Sequence, residues 1–375
     1  MKYRKIPKSK DKLSILGFGC MRFPTLENGK IDEDKSLAML HRAYQKGVNY
    51  FDTAWPYHNG ESEPFLGRFL AQIDRSTVYL ATKLPCWQIK SREDMEETLE
   101  KQLERLNTNY IDYYLLHALN KRSWKQMKDL GVLDFLTKAK QAGKIRYAGF
   151  SFHDDYSCFK KIITAWDWDF TQIMLSFLDT HYQAGLKGMR LAEERGIGVI
   201  SMEPLRGGKL IKPIPDEVEA LWKNTEWAGK PASRALQWVW NHPECTVLLS
   251  GMSTMEQVDE NLREANKSKA GSLSPKDLDK FVKARRIYIR RLPIRCTECR
   301  YCLPCPHNVS IPSALGIYSE AIMFGDKERH KREYQFFIPD ANKADKCTQC
   351  GVCLSKCPQQ IDIPKWMLEI QRHFG

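Results

Sequence analysis

The sequence predicts an α/β protein: an eightfold alternation of strands and helices that closes on itself, followed by a small domain organised by cysteines. Three observations carry this expectation. Short apolar runs alternate with helix-period segments from the N-terminus to about residue 267. Eight of the twelve cysteines crowd into residues 296–357. The 375-residue chain is 42 % apolar and 28 % charged, a globular composition that can bury a sizeable core.

The candidate strands are Ser14–Gly19, Tyr50–Thr53, Thr77–Thr82, Ile111–Leu116, Ile145–Phe150, Phe170–Met174, Gly198–Met202 and Thr246–Leu249. Several carry apolar residues in sequence rather than in alternation, as buried parallel strands do. Between them, Met95, Leu99, Leu103 and Leu106 recur at helical spacing, as do Leu37, Leu40 and Tyr44. Ser91 precedes an acidic first turn, and Gly47 and Gly143 follow helices directly. Eight such units make a (β/α)8 TIM barrel the leading architecture, with an open doubly wound sheet as the alternative. The segment Tyr3–Lys12 is expected to form a hairpin under the barrel, and a further helix is expected over Pro275–Arg290. The composition changes near Arg290, which sets the domains as 1–290 and 291–375.

The formal charge is +12, yet Lys and Arg are spread along the chain and no run resembles a nucleic-acid motif. No stretch approaches the roughly 18–20 apolar residues of a membrane span. The charged start Met1–Lys5 has no apolar region behind it, so a secretory signal is not expected. The expectation is a cytoplasmic chain with no nucleic-acid or membrane partner. In that compartment, crowded cysteines point to metal rather than disulfides.

The first cysteine run is Cys296, Cys299, Cys302 and Cys305, with Pro306 after the last. The second is Cys347, Cys350, Cys353 and Cys357, followed by Pro358. The second matches the C-x2-C-x2-C-x3-C-P run of bacterial ferredoxins; the first is one residue shorter before its last cysteine. Three thiolates at i, i+3 and i+6 on a tight loop reach three corners of one iron–sulfur cube, and the fourth corner needs a ligand from elsewhere. Structural zinc, which pairs two-cysteine knuckles, fits a doubled triple run poorly. The resemblance to two-cluster ferredoxins implies a small ferredoxin-like domain with two [4Fe-4S] clusters. It assigns Cys296, Cys299, Cys302 and Cys357 to one cluster, and Cys347, Cys350, Cys353 and Cys305 to the other. Residues 291–375 hold 12 basic and 9 acidic side chains. Two clusters at roughly −2 each would offset that surplus.

Polar residues stand at the ends of the second, third and fourth strands: Asp52, Lys83 and His117, with Tyr57 just beyond Asp52. The C-terminal strand ends of such a barrel line its active site. The segment from Asn49 to Glu63, with Asp52-Thr-Ala, Tyr57 and Ser62-Glu63, resembles the D-T-A-x-x-Y…S-E signature of aldo-keto reductases. Ala81-Thr-Lys83 and Tyr113-Tyr-Leu-Leu-His117 resemble that family's lysine and histidine segments. The resemblance covers about residues 1–290 and implies an oxidoreductase with Asp52, Tyr57, Lys83 and His117 as its catalytic tetrad. Tyr57 would be the proton donor, with its pKa of about 10 lowered by Lys83. Asp52 would hold Lys83, and His117 would orient the substrate oxygen.

The resemblance also implies a nicotinamide site. Ser151, His153 and Gln172 stand where the family contacts the nicotinamide amide. Glu203, Leu205 and Gly207 lie on its pyrophosphate loop. Gly251, Ser253, Gln257 and Asn261 lie at the adenosine end, where a helix start offers backbone N–H groups. The position three after Gln172, often aromatic in the family, is Leu175. The adenosine loop, Ser253-Thr254-Met255, offers no basic residue to a 2′-phosphate, although Arg263 follows.

Three functional readings follow. In the first, the barrel interconverts a small-molecule carbonyl and alcohol with NADP(H) or NAD(H), and the clusters are accessory or electron-transferring. In the second, a ferredoxin or another electron carrier feeds the barrel through the clusters; a flavin would mediate, although no flavin motif is present. In the third, the chain is a non-catalytic redox sensor or electron-transfer subunit.

Overall fold

The computed structural model describes residues 1–296 and 300–375. It divides into two compact units, residues 1–207 with 232–273, and residues 208–231 with 274–375. Packing therefore groups the Pro275–Arg290 helix with the cysteine region, whereas the composition changes only after it.

The first unit contains a closed barrel of eight parallel strands, each hydrogen-bonded to its neighbours in sequence. The strands are Leu16–Gly19, Tyr50–Asp52, Tyr79–Leu84, Ile111–Leu119, Ile145–Phe152, Phe170–Met174, Gly198–Met202 and Cys245–Ser250. Closure excludes the open-sheet alternative: the last strand pairs with the first through Leu248 and Leu16. The sixth and seventh strands are buried at every residue, including the polar Thr171, Gln172 and Ser201. Ser14 leaves the first strand and joins the hairpin instead. The third strand starts at Tyr79 because Asp74 first caps a short turn over Arg75–Thr77.

The helices follow their capping chemistry. Ser91 forms a reciprocal capping box with Asp94, and Met95, Leu99 and Leu103 are buried below it. In the helix Glu33–Gln45 the buried face is Ser36, Met39, Leu40 and Ala43; Leu37 and Tyr44 flank it. The small Ser36 and Ala43 let that helix sit close, which an apolar-only pattern misses.

The expected hairpin forms from Tyr3–Lys5 and Lys12–Ser14. Its Ile6 and Leu13 join Tyr50, Tyr113, Phe170 and Val247 in the barrel's interior cluster. A Cβ on Gly198 would stand 2.8 Å from Ile6 Cγ2, so the glycine makes room for this plug.

The second unit has its own core. Helices Ile311–Phe324, Lys327–Phe337 and Ile363–Phe374 bury Ala314, Leu315, Tyr334, Met367, Ile370 and Phe374 together. Cysteines of both runs pack against that cluster. Gly325 ends the first of these helices at φ 72°, and Asp326 caps the next through Arg329 N–H. Among the described residues no helix is long and apolar enough to cross a membrane.

Filling the space above the plug should cost stability. Gly198→Ala is expected to lower the unfolding free energy by about 1–3 kcal/mol, as overpacking does. Ile6→Val in the same chain should recover part of the loss. Denaturant titration checks both, and an unchanged midpoint in Gly198→Ala would contradict the packing account.

Candidate functional site

The second, third and fourth strands bring Asp52, Lys83 and His117 to one end of the barrel. Lys83 is fully buried, and its Nζ lies 2.6 Å from Asp52 Oδ1 and 2.6 Å from the Thr53 carbonyl. The same Nζ lies 3.4 Å from Tyr57 Oη and 5.0 Å from the Tyr57 ring centroid. Burial disfavours the Lys83 ammonium, but Asp52 and Tyr57 outweigh it and its pKa ends raised. Burial pushes the Asp52 carboxyl up against the pull of Lys83. At a 2.6 Å separation inside the protein the two groups form an ion pair.

Tyr57 departs from expectation. Lys83 does pull its pKa down, but burial pushes it up by more, and the phenol ends above its ordinary value. Tyr57 is therefore a protonated phenol with a cation beneath it, a state suited to donating.

His117 is aimed by an irregularity. The register of the fourth and fifth strands runs from Leu116↔Phe150 to Leu119↔Phe152, so one extra residue is inserted on the fourth. Ala118 takes a left-handed φ of 53°, and its N–H donates to Ser151 Oγ at 2.7 Å. Ser151 thus braces the bulge that carries His117. The His117 ring meets Tyr57 edge-on at 6.2 Å and Trp87 at 5.0 Å. Its Nδ1 is buried without a hydrogen-bond partner among the described residues. Burial, then the Lys83 charge, hold its pKa well below the ordinary histidine value.

Behind Lys83 lies a network that the sequence reading missed. Glu63 is fully buried; it accepts from Thr82 Oγ1 at 2.6 Å, Gln102 Nε2 at 2.7 Å and Arg105 Nε at 2.8 Å. Gln102 also donates to the Lys83 carbonyl and accepts from Tyr114 Oη. Ser62 bonds to the Cys20 carbonyl and meets Thr53 Oγ1. The available signal was Gln102, a polar residue on the buried face of Met95 and Leu99.

The expected cofactor residues fall into two groups. Gln172 is buried, and its Oε1 has no hydrogen-bond partner among the described residues. His153 and Gly251 are exposed, and Leu205 and Gly207 are half-buried. Glu203 and Arg206 both take left-handed φ, 52° and 47°, beside Gly207 at 63°. Such curled backbone presents N–H groups to an anion. By contrast, Asn261 is buried and donates to Ser250 Oγ, while Gln257 Oε1 accepts from Ser253 N–H. Asn261 is thus committed to the end of the last strand, while Gln257, though exposed, ties Ser253 to the start of the helix capped by Thr254. A Cβ on Gly251 would meet Arg22 Cγ at 3.1 Å, and Ser253 Oγ donates to the Arg22 carbonyl. The loop at Gly251–Ser253 therefore has a basic neighbour, Arg22, supplied from far away in sequence. Leu175 is fully buried, its backbone tied to Met202.

In the second unit the cysteines surround two recesses. One is lined by Cys302, Cys305, Cys347, Cys350 and Cys353. The other is lined by Cys296, Cys302 and Cys357. Cys299 lies outside the described residues. The last cysteine of each run thus faces the recess of the other run, as crossed ligation requires. Gln349 and Gly351 take left-handed φ of 59° and 73° and curl the second run inward. Among the described residues no three thiols lie within 4.8 Å of one another, which a single tetrahedral zinc would need. Burial and then the neighbouring cysteines push the Cys353 thiol up to about 11. Such crowding suits thiolates only when cationic iron offsets it.

Comparison with known proteins agrees with this geometry. Residues 15–284 match the aldo/keto reductase family, and residues 295–362 match a 4Fe-4S dicluster domain. L-galactose dehydrogenase of Arabidopsis thaliana is 30 % identical over 275 residues, covering 67 % of this chain and 84 % of that protein. The NADH-specific methylglyoxal reductase of Escherichia coli is 25 % identical, covering 64 % and 85 %. Among solved structures, aldo-keto reductase AKR11C1 from Bacillus halodurans in its holo form superimposes with a TM-score of 0.64. It is 27 % identical and covers 76 % of this chain and 96 % of that one.

The depressed His117 has a pH consequence. The unfolded chain takes up a proton near the ordinary histidine value of about 6.5, while the folded site resists until well below it. Stability from this group is therefore complete above about pH 6.5 and falls as pH drops toward the folded-state value. Urea titrations at pH 7 and pH 5 should show a smaller loss in His117→Gln than in the wild type. Equal losses would contradict a buried neutral imidazole.

Proposed function

The chain belongs to the aldo/keto reductase family and carries a 4Fe-4S dicluster domain, and from that premise we propose that its barrel interconverts a small carbonyl and an alcohol with NAD(P)H. The observation that carries the proposal is Lys83, held by Asp52 and standing 3.4 Å from the hydroxyl of a protonated Tyr57. A reduced nicotinamide, when bound, supplies the hydride. Gln172, with its unpartnered Oε1, would accept from its carboxamide, beside Ser151 and His153. Glu203, Leu205 and Gly207 would follow its pyrophosphate, with Gly251 and Ser253 at the adenosine end and Gln257 and Asn261 holding that loop.

In reduction Tyr57 gives its hydroxyl proton to the carbonyl oxygen as negative charge develops there. The tyrosinate left behind is stabilised by the Lys83 ammonium, which is why a phenol raised by burial still serves as an acid. Asp52 keeps Lys83 charged and in place. His117 is neutral, so it hydrogen-bonds to the oxygen without competing for the proton role. Solvent then restores the Tyr57 proton. Small sugars and dicarbonyls, named for the relatives above, set the substrate class to try first.

The tail is proposed to hold two [4Fe-4S] clusters, one on Cys296, Cys299, Cys302 and Cys357, the other on Cys347, Cys350, Cys353 and Cys305. Clusters of this type exchange single electrons. Cys350 is exposed, and this favours exchange with an outside carrier such as a ferredoxin over a purely structural role.

Tyr57→Phe is expected to lower kcat by about 10²–10⁴-fold, the usual worth of a positioned acid. Steady-state assays with NADH and NADPH on methylglyoxal and an aldose check it; wild-type turnover in the variant would sink the assignment. For the clusters, Cys296→Ser and Cys357→Ser should each leave about half the iron, and the double variant no less. Pairing Cys357→Ser with Cys350→Ser should remove nearly all. Iron counting on anaerobic protein distinguishes crossed from uncrossed ligation.

A further inference from the structure

The helices Ile311–Phe324 and Lys327–Phe337 carry a side-chain group that neither the cysteines nor the barrel uses. Glu320 comes from the first, and His330 and Glu333 come from one face of the second. His330 is fully buried. Its Nδ1 lies 2.6 Å from the Asp326 carbonyl, which can only accept, so Nδ1 carries the hydrogen. The neutral tautomer, the form that ligates a metal, then has its lone pair on Nε2. That lone pair is buried and has no hydrogen-bond partner among the described residues. It faces Glu320 Oε2 at 3.8 Å and Glu333 Oε2 at 3.9 Å, too far for hydrogen bonds. The ring lies parallel to Phe324, which fixes its aim.

Three lone-pair atoms within 4.8 Å of one another require positive charge among them. Lys209 supplies part of it, at 2.5 Å from Glu320 and 2.9 Å from Glu333. Arg329 Nε adds a second contact to the Glu333 carboxylate at 3.2 Å. Lys209 serves the two carboxylates and leaves Nε2 unserved. A divalent ion would serve all three. A histidine whose other N–H is pinned to a carbonyl is the usual second-shell arrangement of a metal ligand. Bonds of about 2.0–2.2 Å to nitrogen and oxygen would draw the three atoms together by several tenths of an ångström.

We infer that Glu320, His330 and Glu333 bind a divalent first-row cation, and that Lys209 is the resident charge this cation displaces. Water completes the coordination. The site is separate from the thiolates and prefers a harder ion than they do.

Mn²⁺ is the probe, since oxygen and imidazole ligands hold it and thiolates do not select it. The cluster-loaded full chain is stripped of loose metal, dialysed against graded Mn²⁺, and its manganese and iron are counted in the same sample. The wild type should saturate at one Mn²⁺ per chain. His330→Ala should weaken binding at least tenfold, because a ligand is lost. Lys209→Met should tighten it severalfold, because the competing cation is gone. A wild type that does not saturate, or an unchanged affinity in either variant, overturns the inference. Iron content reports folding: a His330 variant that loses iron is replaced by Glu333→Gln, held to the same tenfold criterion.

Discussion

The barrel end is organised around one buried ion pair. Lys83 and Asp52 are both inside the protein at a 2.6 Å separation, and neither has water to fall back on. Removing either partner of such a pair leaves an uncompensated charge, at a cost of about 3–5 kcal/mol. The pair therefore needs support on every side. Thr53 gives its carbonyl to Lys83, Gln102 holds the Lys83 carbonyl, and Glu63 anchors Gln102. The Ser-Glu of the sequence signature is thus part of the foundation of the proposed tetrad and not of its face.

The same pair explains why Tyr57 and His117 sit in opposite conditions. Both are driven toward neutrality by burial. For Tyr57 that keeps the proton on, and for His117 it keeps the proton off. The Lys83 charge opposes the first effect and reinforces the second. One cation thereby separates a potential donor from a neutral orienting group. The left-handed Ala118, braced by Ser151, then turns His117 toward Tyr57. Strain of this kind, on the order of 1–3 kcal/mol, persists only where its surroundings enforce it.

The second unit works by a different economy. Its helices bury an apolar core of their own, and the cysteine loops pack against that core. Burial and its cysteine neighbours push the Cys353 thiol up, so it stays a neutral thiol unless a cation offsets the charge of the thiolate. His330, whose buried Nε2 has no hydrogen-bond partner among the described residues, stands at a place free of sulfur.

The sequence by itself determined the eightfold alternation, most strand positions, the cysteine runs and the four polar residues at strand ends. These are local signals: periodicity, caps, and spacings of three residues along a loop. It could also place the helix Pro275–Arg290, because Ser274 and Pro275 mark its start. Tertiary structure alone decided how those signals combine. Closure of the barrel rests on the pairing of Leu248 with Leu16, more than two hundred residues apart. Whether the Tyr57 pKa ends above or below its ordinary value depends on burial set against the pull of Lys83, and no spacing encodes burial. Arg22 reaches the loop at Ser253, Ser151 braces a bulge on the neighbouring strand, and Lys209 meets Glu320 and Glu333 only because segments apart in sequence converge. Burial and long-range pairing are properties of the packed chain, and they set the chemistry of residues whose identity was readable beforehand.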